Sequence, residues 1–188
     1  KSFFSAPTDY EVTETDAGDG WWIYSAAQSA AKVVEIVGGD QYTTLADAVA
    51  AANESEGVTI KMLTNYTTAD NESIVFTKNA TLDLNDTTLT FSDGQRYGKK
   101  LAVGTLNATT PEVTFQNGTI VFACYPDDTA CGRGVNVFGT LNVACTITQT
   151  CDNPAKTGQP IFDCYGASVV NIGEGAVIES VLLTIENK

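Results

Sequence analysis

Strand-like apolar segments recur at a nearly constant spacing through most of this chain, and this recurrence limits the folds open to it. Leu84, Phe115, Val143 and Ile172 occupy the same place in units of alternating apolar residues, a polar corner and a second apolar strand. The separations are 31, 28 and 29 residues, and residues 59–62 resemble an earlier, shorter unit. Such periods are typical of solenoids, in which one unit cannot bury its apolar face alone. Units without helices predict an all-β parallel β-helix. The alternative is an antiparallel sandwich whose hairpins are similar by chance.

One helix is predicted, near the start of the repeat domain. Residues 33–37 read as a short strand that ends at two glycines. Thr43 or Thr44 can cap the next segment, residues 45–53, which is rich in alanine. Its apolar face would be formed by Leu45, Ala48, Val49 and Ala52. We therefore expect a domain over residues 33–188 that opens with a short capping helix.

Residues 1–32 differ from the rest and predict an extended N-terminal arm. The segment is acidic and lacks periodicity, yet it is rich in aromatic residues. The proposed anchors are Phe3, Phe4, Tyr10, Trp21 and Trp22. Exposed aromatic side chains on a free arm are costly in water, so we expect the arm to dock on a protein surface. The alternative is that it packs on its own domain.

Three segments of the domain carry a resemblance to a known family. Residues 42–52, then 58–63, then the "TLDLN" segment at 81–85 resemble the opening of right-handed parallel β-helix proteins of the pectate-lyase-like superfamily. The resemblance covers residues 33–125 well and the remainder only through the repeat. It implies a right-handed β-helix in a secreted or cell-surface protein, and says little about activity.

Seven of the twelve asparagines open an N-x-Ser/Thr triplet without proline, which makes them formal N-glycan acceptors. They are Asn53, Asn65, Asn71, Asn79, Asn85, Asn107 and Asn117. A glycan requires a surface that never packs against protein. We expect most of these sites to be glycosylated. The alternative is that asparagine and threonine are simply common in the turns and strands of a β-rich protein.

Several properties together predict an extracellular location. The net charge of −13 argues against nucleic acid or anionic membrane as a partner. The chain has no run of eighteen apolar residues, so no membrane insertion is expected. It begins at Lys1, which suggests that a signal peptide has been removed.

Five cysteines in the last third of the chain are candidates for disulfides in an oxidising compartment. They are Cys124, Cys131, Cys145, Cys151 and Cys164. Cys124 and Cys131 could close a short loop, and either Cys145 or Cys151 could pair with Cys164. The similarity of residues 122–125 and 162–165 suggests that Cys124 and Cys164 occupy equivalent positions. An odd count leaves one thiol free or available for a bond between chains.

No catalytic residue, metal site or cofactor is predicted. The chain has no histidine, which excludes histidine acid–base chemistry. Glycoside hydrolysis needs two carboxyl groups at a fixed distance, yet Asp83 and Asp163 lie several units apart. The best cluster, Asp127 and Asp128 beside Arg133, reads as a solvated turn. Residues 16–20 resemble part of a calcium loop but lack its terminal glutamate.

A third class of function, ice binding by a flat threonine face, is suggested by residues 88–90 and 146–150. We expect these threonines not to recur at one position in each unit, and nearby glycans would roughen the face. Ice binding is therefore the weakest alternative.

Self-assembly is the predicted function. Residues 181–185 form an apolar strand with no predicted cap, whereas the other end of the repeat has the helix. A chain with one uncovered apolar acceptor and one aromatic donor associates head to tail into a filament. The N-x-Ser/Thr triplets (sequons) are absent from residues 1–32 and 120–188. These two regions contain the aromatic donor and the apolar acceptor, respectively. The alternatives are a monomeric adhesin module that binds glycans through Trp21 and Trp22, and a polysaccharide-degrading enzyme.

Overall fold

The fold is defined by a computed structural model in which the chain separates into two compact units, residues 1–31 and 32–188. The predicted boundary lies one residue further along the chain. The structure describes residues 10–69, 72–91, 101–123, 134–150, 160–180 and 185–187.

The first unit contains an antiparallel β-hairpin. Strand β1 (Tyr10–Gly18) pairs with β2 (Trp21–Gln28) from Tyr10 opposite Gln28 to Gly18 opposite Trp21. Asp19 and Gly20 connect the strands, and both have positive φ, 53° and 81°. Two successive residues with positive φ form the type I′ turn that matches the twist of a hairpin, and Asp-Gly is a preferred sequence for it. Gly18, also at positive φ, lies at a bulge beside the turn.

This hairpin corrects two expectations. The prediction of an extended, aperiodic arm is wrong for residues 10–28, which form a regular two-stranded sheet. The segment compared with a calcium loop is the hairpin turn, in which the Asp16 carboxylate accepts a hydrogen bond from the Gly18 amide at 2.8 Å. Turn geometry therefore accounts for the glycines and aspartates of residues 16–20. Phe3 and Phe4 lie outside the described residues.

The second unit opens with two short strands and a helix. Strand β3 (Val34–Ile36) pairs antiparallel with both β4 (Gln41–Tyr42) and β5 (Val58–Met62). Helix α1 (Leu45–Ala52) begins at Thr44, whose hydroxyl accepts a hydrogen bond from the Asp47 amide and so satisfies one free N–H of the first turn.

The predicted helix and its buried face are confirmed. The four buried residues of α1 are Leu45, Ala48, Val49 and Ala52, those expected from the apolar pattern. The helix contacts β3, β5 and the later strand β7 (Ile74–Phe76), so it lies against the beginning of the strand array.

The remaining strands form three parallel ladders, A, B and C, which the chain visits in turn. Ladder A consists of β5, β8 (Ala80–Asp83), the first part of β11 (Glu112–Ala123), the first part of β13 (Thr140–Thr150) and β15 (Val169–Ile172). Ladder B consists of β6 (Tyr66–Thr67), β9 (Thr88–Phe91), the second parts of β11 and β13, and β16 (Val177–Glu179). Ladder C consists of β7 (Ile74–Phe76), β10 (Leu101–Val103), β12 (Val135–Val137), β14 (Phe162–Cys164) and β17 (Ile185–Asn187).

One pass through the three ladders makes a level, and the described residues form five levels. The first is β5–β6–β7 and the fifth is β15–β16–β17. The predicted all-β class is therefore confirmed, and the ladders differ from the antiparallel sandwich considered as its alternative because their strands are parallel.

Side chains in register form apolar columns inside the unit. Ile60, Leu82, Phe115 and Val143 are consecutive neighbours in ladder A, and all four are buried. Between ladders A and C, the rings of Phe76 and Phe115 lie 5.9 Å apart in a tilted arrangement. In ladder B, the rings of Phe91 and Phe122 stack with centroids 5.1 Å apart. Each column continues the apolar core from one level to the next. The two ring pairs have centroid separations in the range that aromatic side chains favour.

The predicted repeat is correct at three of its four positions. Phe115, Val143 and Ile172 share one column, but their partner at the second level is Leu82 and not Leu84. The corner between ladders A and B varies in length between levels, is longest at the second level, and there includes Asn85 and Asp86, both at positive φ. A gap-free alignment that matches the strands after this corner therefore shifts the second-level strand before it by two residues, from Leu82 to Leu84.

Gly139 provides a test of the spacing between levels. A Cβ at this position would overlap the carbonyl oxygen of Pro111 at the preceding level. We expect Gly139→Ala to lower the free energy of unfolding by about 1–3 kcal/mol, because the backbones must move apart. Gly39→Ala is the matched control, since its Cβ would meet Ile36 only at 3.4 Å or more. Urea denaturation should separate the two variants, and equal stability would contradict this packing.

Candidate functional site

The hairpin exposes apolar side chains on both of its faces. Because residues opposite one another share a face, Trp22 and Tyr24 lie with Val12 and Tyr10, whereas Trp21 lies on the other face. Trp21 is 75% exposed and Trp22 is 51% exposed. A two-stranded sheet is marginally stable alone in water. The predicted anchors Tyr10, Trp21 and Trp22 are thus held on an ordered sheet with their rings uncovered.

The fifth level is a second uncovered surface. Ile172 continues the buried column of ladder A, yet it is 47% exposed, while its neighbour Val143 is buried. Val169 and Val177 are also large exposed apolar residues at this level. Among the described residues, β15, β16 and β17 each pair with the fourth level alone. The outer edge of each strand is therefore open, as expected for the C-terminal end; residues 181–184 lie outside the described part.

Sequon asparagines lie at the corners of the levels, where five of them form hydrogen bonds between segments distant in sequence. These five are Asn53, Asn65, Asn79, Asn85 and Asn117. The Oδ1 atom of Asn65 accepts a bond from the Thr88 amide at 2.8 Å, and that of Asn79 accepts one from the Glu112 amide at 2.7 Å. These asparagines satisfy backbone groups that the corners leave without strand partners.

Asn85 and Asn117 use their amide nitrogens instead. Nδ2 of Asn85 donates to the carbonyl oxygen of Met62, and Nδ2 of Asn117 donates to the Asp83 carboxylate at 3.2 Å. Both asparagines are exposed and have positive φ. Because a glycosylated amide nitrogen keeps one N–H, these exposed residues can carry a glycan and still donate.

Asn53 is the exception among the predicted acceptors. It is the C-cap of α1, its Nδ2 donates to the Val75 carbonyl and its Oδ1 accepts from the Thr77 amide, both at 2.8 Å. This half-buried side chain fixes the helix to β7, so a glycan on Nδ2 would separate the two elements. These contacts argue against a glycan at Asn53, and its glycosylation stays a prediction. Asn71 lies outside the described residues.

Cys145 and Cys164 are free, buried thiols, not partners in a disulfide. Both occupy positions in the apolar core cluster, where cysteine acts as a small apolar side chain. Burial raises the pKa of Cys145 to about 12 and also raises the pKa of Cys164. Of the two partners left open for Cys164, Cys145 is therefore not bonded to it. Cys124, Cys131 and Cys151 lie outside the described residues.

The suggested equivalence of Cys124 and Cys164 depends on matching Phe122 with Phe162. Phe122 belongs to ladder B and Phe162 to ladder C, so these two residues are not equivalent. Cys124 itself lies outside the described residues.

Asp83 and Asp163 do not form a hydrolytic pair. Asp83 lies in ladder A at the second level, and Asp163 lies in ladder C at the fourth level, where it is buried. Asp127, Asp128 and Arg133 lie outside the described residues. No group of three or more His, Cys, Asp or Glu side chains in the described part is arranged to hold a metal ion.

A buried glutamate that sequence patterns did not reveal has a structural role. Glu72 accepts hydrogen bonds from the Ala46 and Ala69 amides and from the Tyr66 hydroxyl, the last at 2.7 Å. Burial raises the pKa of Tyr66, and the Glu72 carboxylate raises it further. The Glu72 carboxylate thus satisfies the Ala46 N–H in the first turn of α1. The two residues are 26 positions apart, so no local sequence motif predicts this hydrogen bond.

The threonines of ladder B form a column. Thr88, Thr119 and Thr146 are in register at three successive levels, and Val177 follows them. The expectation that these threonines do not recur at one position in every unit agrees with this column, since Val177 takes the place of threonine at the fifth level. In the parallel column two residues along each strand, Val121 lies between two threonines. The threonine face is therefore three levels long and interrupted.

Comparisons with known proteins do not identify the chain. No protein-family model, no curated protein and no solved structure matches it. Helix α1, the only helix among the described residues, is too short to span a membrane. The resemblance to pectate-lyase-like β-helices remains a prediction, and functional inference depends on the surfaces described above.

Thiol reactivity distinguishes core cysteines from disulfides. Alkylation requires the thiolate, so burial and raised pKa values should keep Cys145 and Cys164 unmodified by iodoacetamide at pH 8 in the native protein. In denaturant without any reductant, both should be modified fully. Peptide mass spectrometry gives the extent at each residue. Modification that requires a reductant, or a peptide linked through either residue, would contradict the assignment.

Proposed function

We propose that this chain is an extracellular, N-glycosylated structural protein that assembles head to tail into a filament, with the N-terminal hairpin of one subunit docked on the fifth level of the next. The observation that carries the proposal is the presence of two uncovered apolar surfaces, an aromatic hairpin and an open strand edge, in one chain. No cofactor is required, and the partner is a second copy of the chain.

We further propose that residues 33–188 form a right-handed parallel β-helix. Its support is the order of the pairings: ladders A, B and C are parallel, each has five strands, and the chain visits them in the same sequence at every level. A right-handed path is what the resemblance to pectate-lyase-like proteins implies, and it is the rule for crossovers between parallel strands.

The fifth level is suited to accept a strand. At the fourth level, β13 runs without interruption over eleven residues through ladders A and B. At the fifth, β15 and β16 cover these ladders with four and three residues. The hairpin strands, nine and eight residues long, have the length to lie along both. Strand addition would satisfy the open backbone groups, and the tryptophans would cover the exposed residues such as Ile172.

The direction of assembly follows from the difference between the two ends. At the first level, β3 pairs with β5 and α1 lies against β5 and β7, so among the described residues the edge of ladder A is closed at this end, whereas all three ladders lack a further strand at the fifth level. A contact between two different surfaces is heterologous, and such contacts continue indefinitely unless the rotation between subunits closes a ring. A filament is the outcome expected from one donor and one acceptor on every subunit.

A second function is favoured by one observation. Trp21 and Trp22 are exposed on opposite faces of the hairpin, and aromatic rings are common contacts for sugars. A monomeric surface module that binds glycans through these residues is therefore the main alternative. Polysaccharide degradation has less support because Asp83 and Asp163 lie on different ladders.

Complementary variants of the full chain test the head-to-tail contact. Trp21→Ser combined with Trp22→Ser should remove the donor, and Ile172→Asp should remove the acceptor. Each change affects an anchor worth about 2 kcal/mol or more, so we expect association at least about 30-fold weaker. Analytical ultracentrifugation and negative-stain microscopy should show filaments for the parent chain and monomers for each variant. Val37→Ser is the matched control, since Val37 is 55% exposed on another surface.

Mixing the two variants sharpens the test. The mixture retains one intact donor on one chain and one intact acceptor on the other, so it should form dimers and nothing larger. Monomers in the mixture would contradict head-to-tail docking. A parent chain that stays monomeric and binds soluble polysaccharides would favour the surface module.

Ionic strength should control the assembly. The hairpin carries Glu11, Glu14, Asp16 and Asp19 without a basic residue, and the fifth level carries Glu174 and Glu179. Because like charges meet, added salt should strengthen association, most steeply as the screening length falls from about 30 Å at 0.01 M to about 10 Å at 0.1 M. Light scattering over this range measures the effect. Glu14→Gln should flatten the dependence, whereas association that weakens with salt would contradict the proposed contact.

A further inference from the structure

Asn107 differs from the other described sequon asparagines because its side chain forms no hydrogen bond with the described residues. Asn53, Asn65, Asn79 and the two remaining ones each connect distant segments, so the fold explains why asparagine occurs there. Asn107 is exposed, with φ of 59°. Positive φ alone is served equally well by glycine. The amide of Asn107 therefore has no partner that the fold itself supplies.

The loop that carries Asn107 is held in one conformation. The Thr105 amide donates to the Thr109 carbonyl at 3.1 Å, and the Ala108 amide donates to the Thr105 carbonyl at 3.2 Å. The hydroxyl groups of Thr105 and Thr109 lie 3.1 Å apart. The Gly104 amide anchors the start of the loop on the Phe76 carbonyl at 2.8 Å. These bonds fix the direction in which a group attached to Asn107 would leave the surface.

Asn107 forms part of the wall of an open cleft of ≈ 230 Å³. Phe138 and Tyr165, which follow equivalent strands at the third and fourth levels, stack in this cleft with centroids 4.7 Å apart. Leu106 also lines the cleft and is 64% exposed. At the equivalent position of the second level is Gly104, where a Cβ would approach Phe138 to 3.2 Å. The aromatic stack therefore ends beneath the loop that holds Asn107.

The lining matches the chemistry of a single sugar ring. A pyranose has an apolar face of C–H groups, which packs on aromatic and aliphatic side chains, and a polar rim of hydroxyl groups. Phe138, Tyr165 and the exposed Leu106 supply the apolar contact. Thr105 and Thr110, which carry hydroxyl groups, line the same cleft. The volume is below that of sites for drug-sized ligands, which suits one sugar residue.

We infer that this cleft binds the first sugar of an N-glycan attached to Asn107 of the same chain. The inference rests on the proposed N-glycosylation and adds a position and a conformation to it. The first sugar of this glycan lies against Phe138, Tyr165 and Leu106, so the glycan at Asn107 is ordered at its base, whereas glycans at Asn65 and Asn79 extend into solvent. The Asn107 glycan thereby covers exposed apolar surface of its own subunit.

Enzymatic removal of glycans from the native glycoprotein tests the inference. A contact with an aromatic pair contributes up to about 1.5 kcal/mol, so a peptide-N-glycosidase should release the glycan from Asn107 about tenfold more slowly than from Asn65. Mass spectrometry of peptides over time gives each rate. Leu106→Ser should bring the Asn107 rate towards the Asn65 rate without affecting the fold, since Leu106 is exposed. Tyr165→Leu, which keeps bulk but removes the flat ring, should act in the same direction, and Val37→Ser should change neither rate.

A direct contact can be measured independently of these variants. Nuclear Overhauser effects between the first sugar and the aromatic protons of Tyr165 or Phe138 are expected in the parent glycoprotein. Equal release rates at Asn107 and Asn65, or an unmodified Asn107 in a chain glycosylated at Asn65, would overturn the inference and leave the proposed function intact. Asparagines that are all unmodified in native material would overturn both the inference and the proposed N-glycosylation.

Discussion

Burial of each level by its neighbours is the interaction on which the rest of the structure depends. No level has a core of its own: Phe115 is buried because Leu82 and Val143 lie on either side of it. Burial of a large apolar side chain contributes about 1.5–3 kcal/mol, and each level adds several. The same rule leaves the last level half covered, as the exposure of Ile172 shows. An array stabilised by neighbours always has an end where a neighbour is missing.

The two ends of the array resolve this problem differently. At the first level, α1 supplies an apolar face. Glu72 accepts a hydrogen bond from the first turn of this helix, and Asn53 at its end donates one to β7. The antiparallel strand β3 then occupies the edge of β5, so no parallel strand can be added there. The fifth level has no such device among the described residues. The two ends of the ladders thus differ, and this difference is the physical basis of the proposed assembly in one direction.

Sequence patterns predicted those features whose signals are local. The helix was predictable because Thr44, its alanines and its apolar spacing all lie within nine residues. The column of Phe115 and Val143 was predictable because alternation is strict in long strands. The hairpin also has a local signal, Asp19-Gly20, but the polar residues of β1 concealed the strand. Ladder C was beyond reach because three-residue strands such as β12 are too short to show a period.

Features that depend on contacts between levels had no such signal. The bonds from Glu72 to Ala46 and from Asn79 to Glu112 join residues 26 and 33 positions apart. The location of Cys145 and Cys164 in the core likewise follows from register. The clustering of cysteines in sequence suggested disulfides, and these two described cysteines form none. Corner lengths that differ between levels displaced the predicted second unit by two residues. A repeat can therefore be detected from sequence before its register can be assigned.

The corners also change the meaning of the sequons. An excess of asparagine-x-threonine triplets is expected wherever corners need asparagine for backbone hydrogen bonds or for positive φ, and strands that follow are rich in threonine. Asn85 meets both needs and Asn117 has positive φ, so their presence alone is weak support for glycans. Asn107 has a wall of aromatic rings beside it and no bond for its amide to make. A sequon that the fold does not otherwise require is stronger support for a glycan than a count of sequons, since only the glycan then gives the asparagine side chain a function.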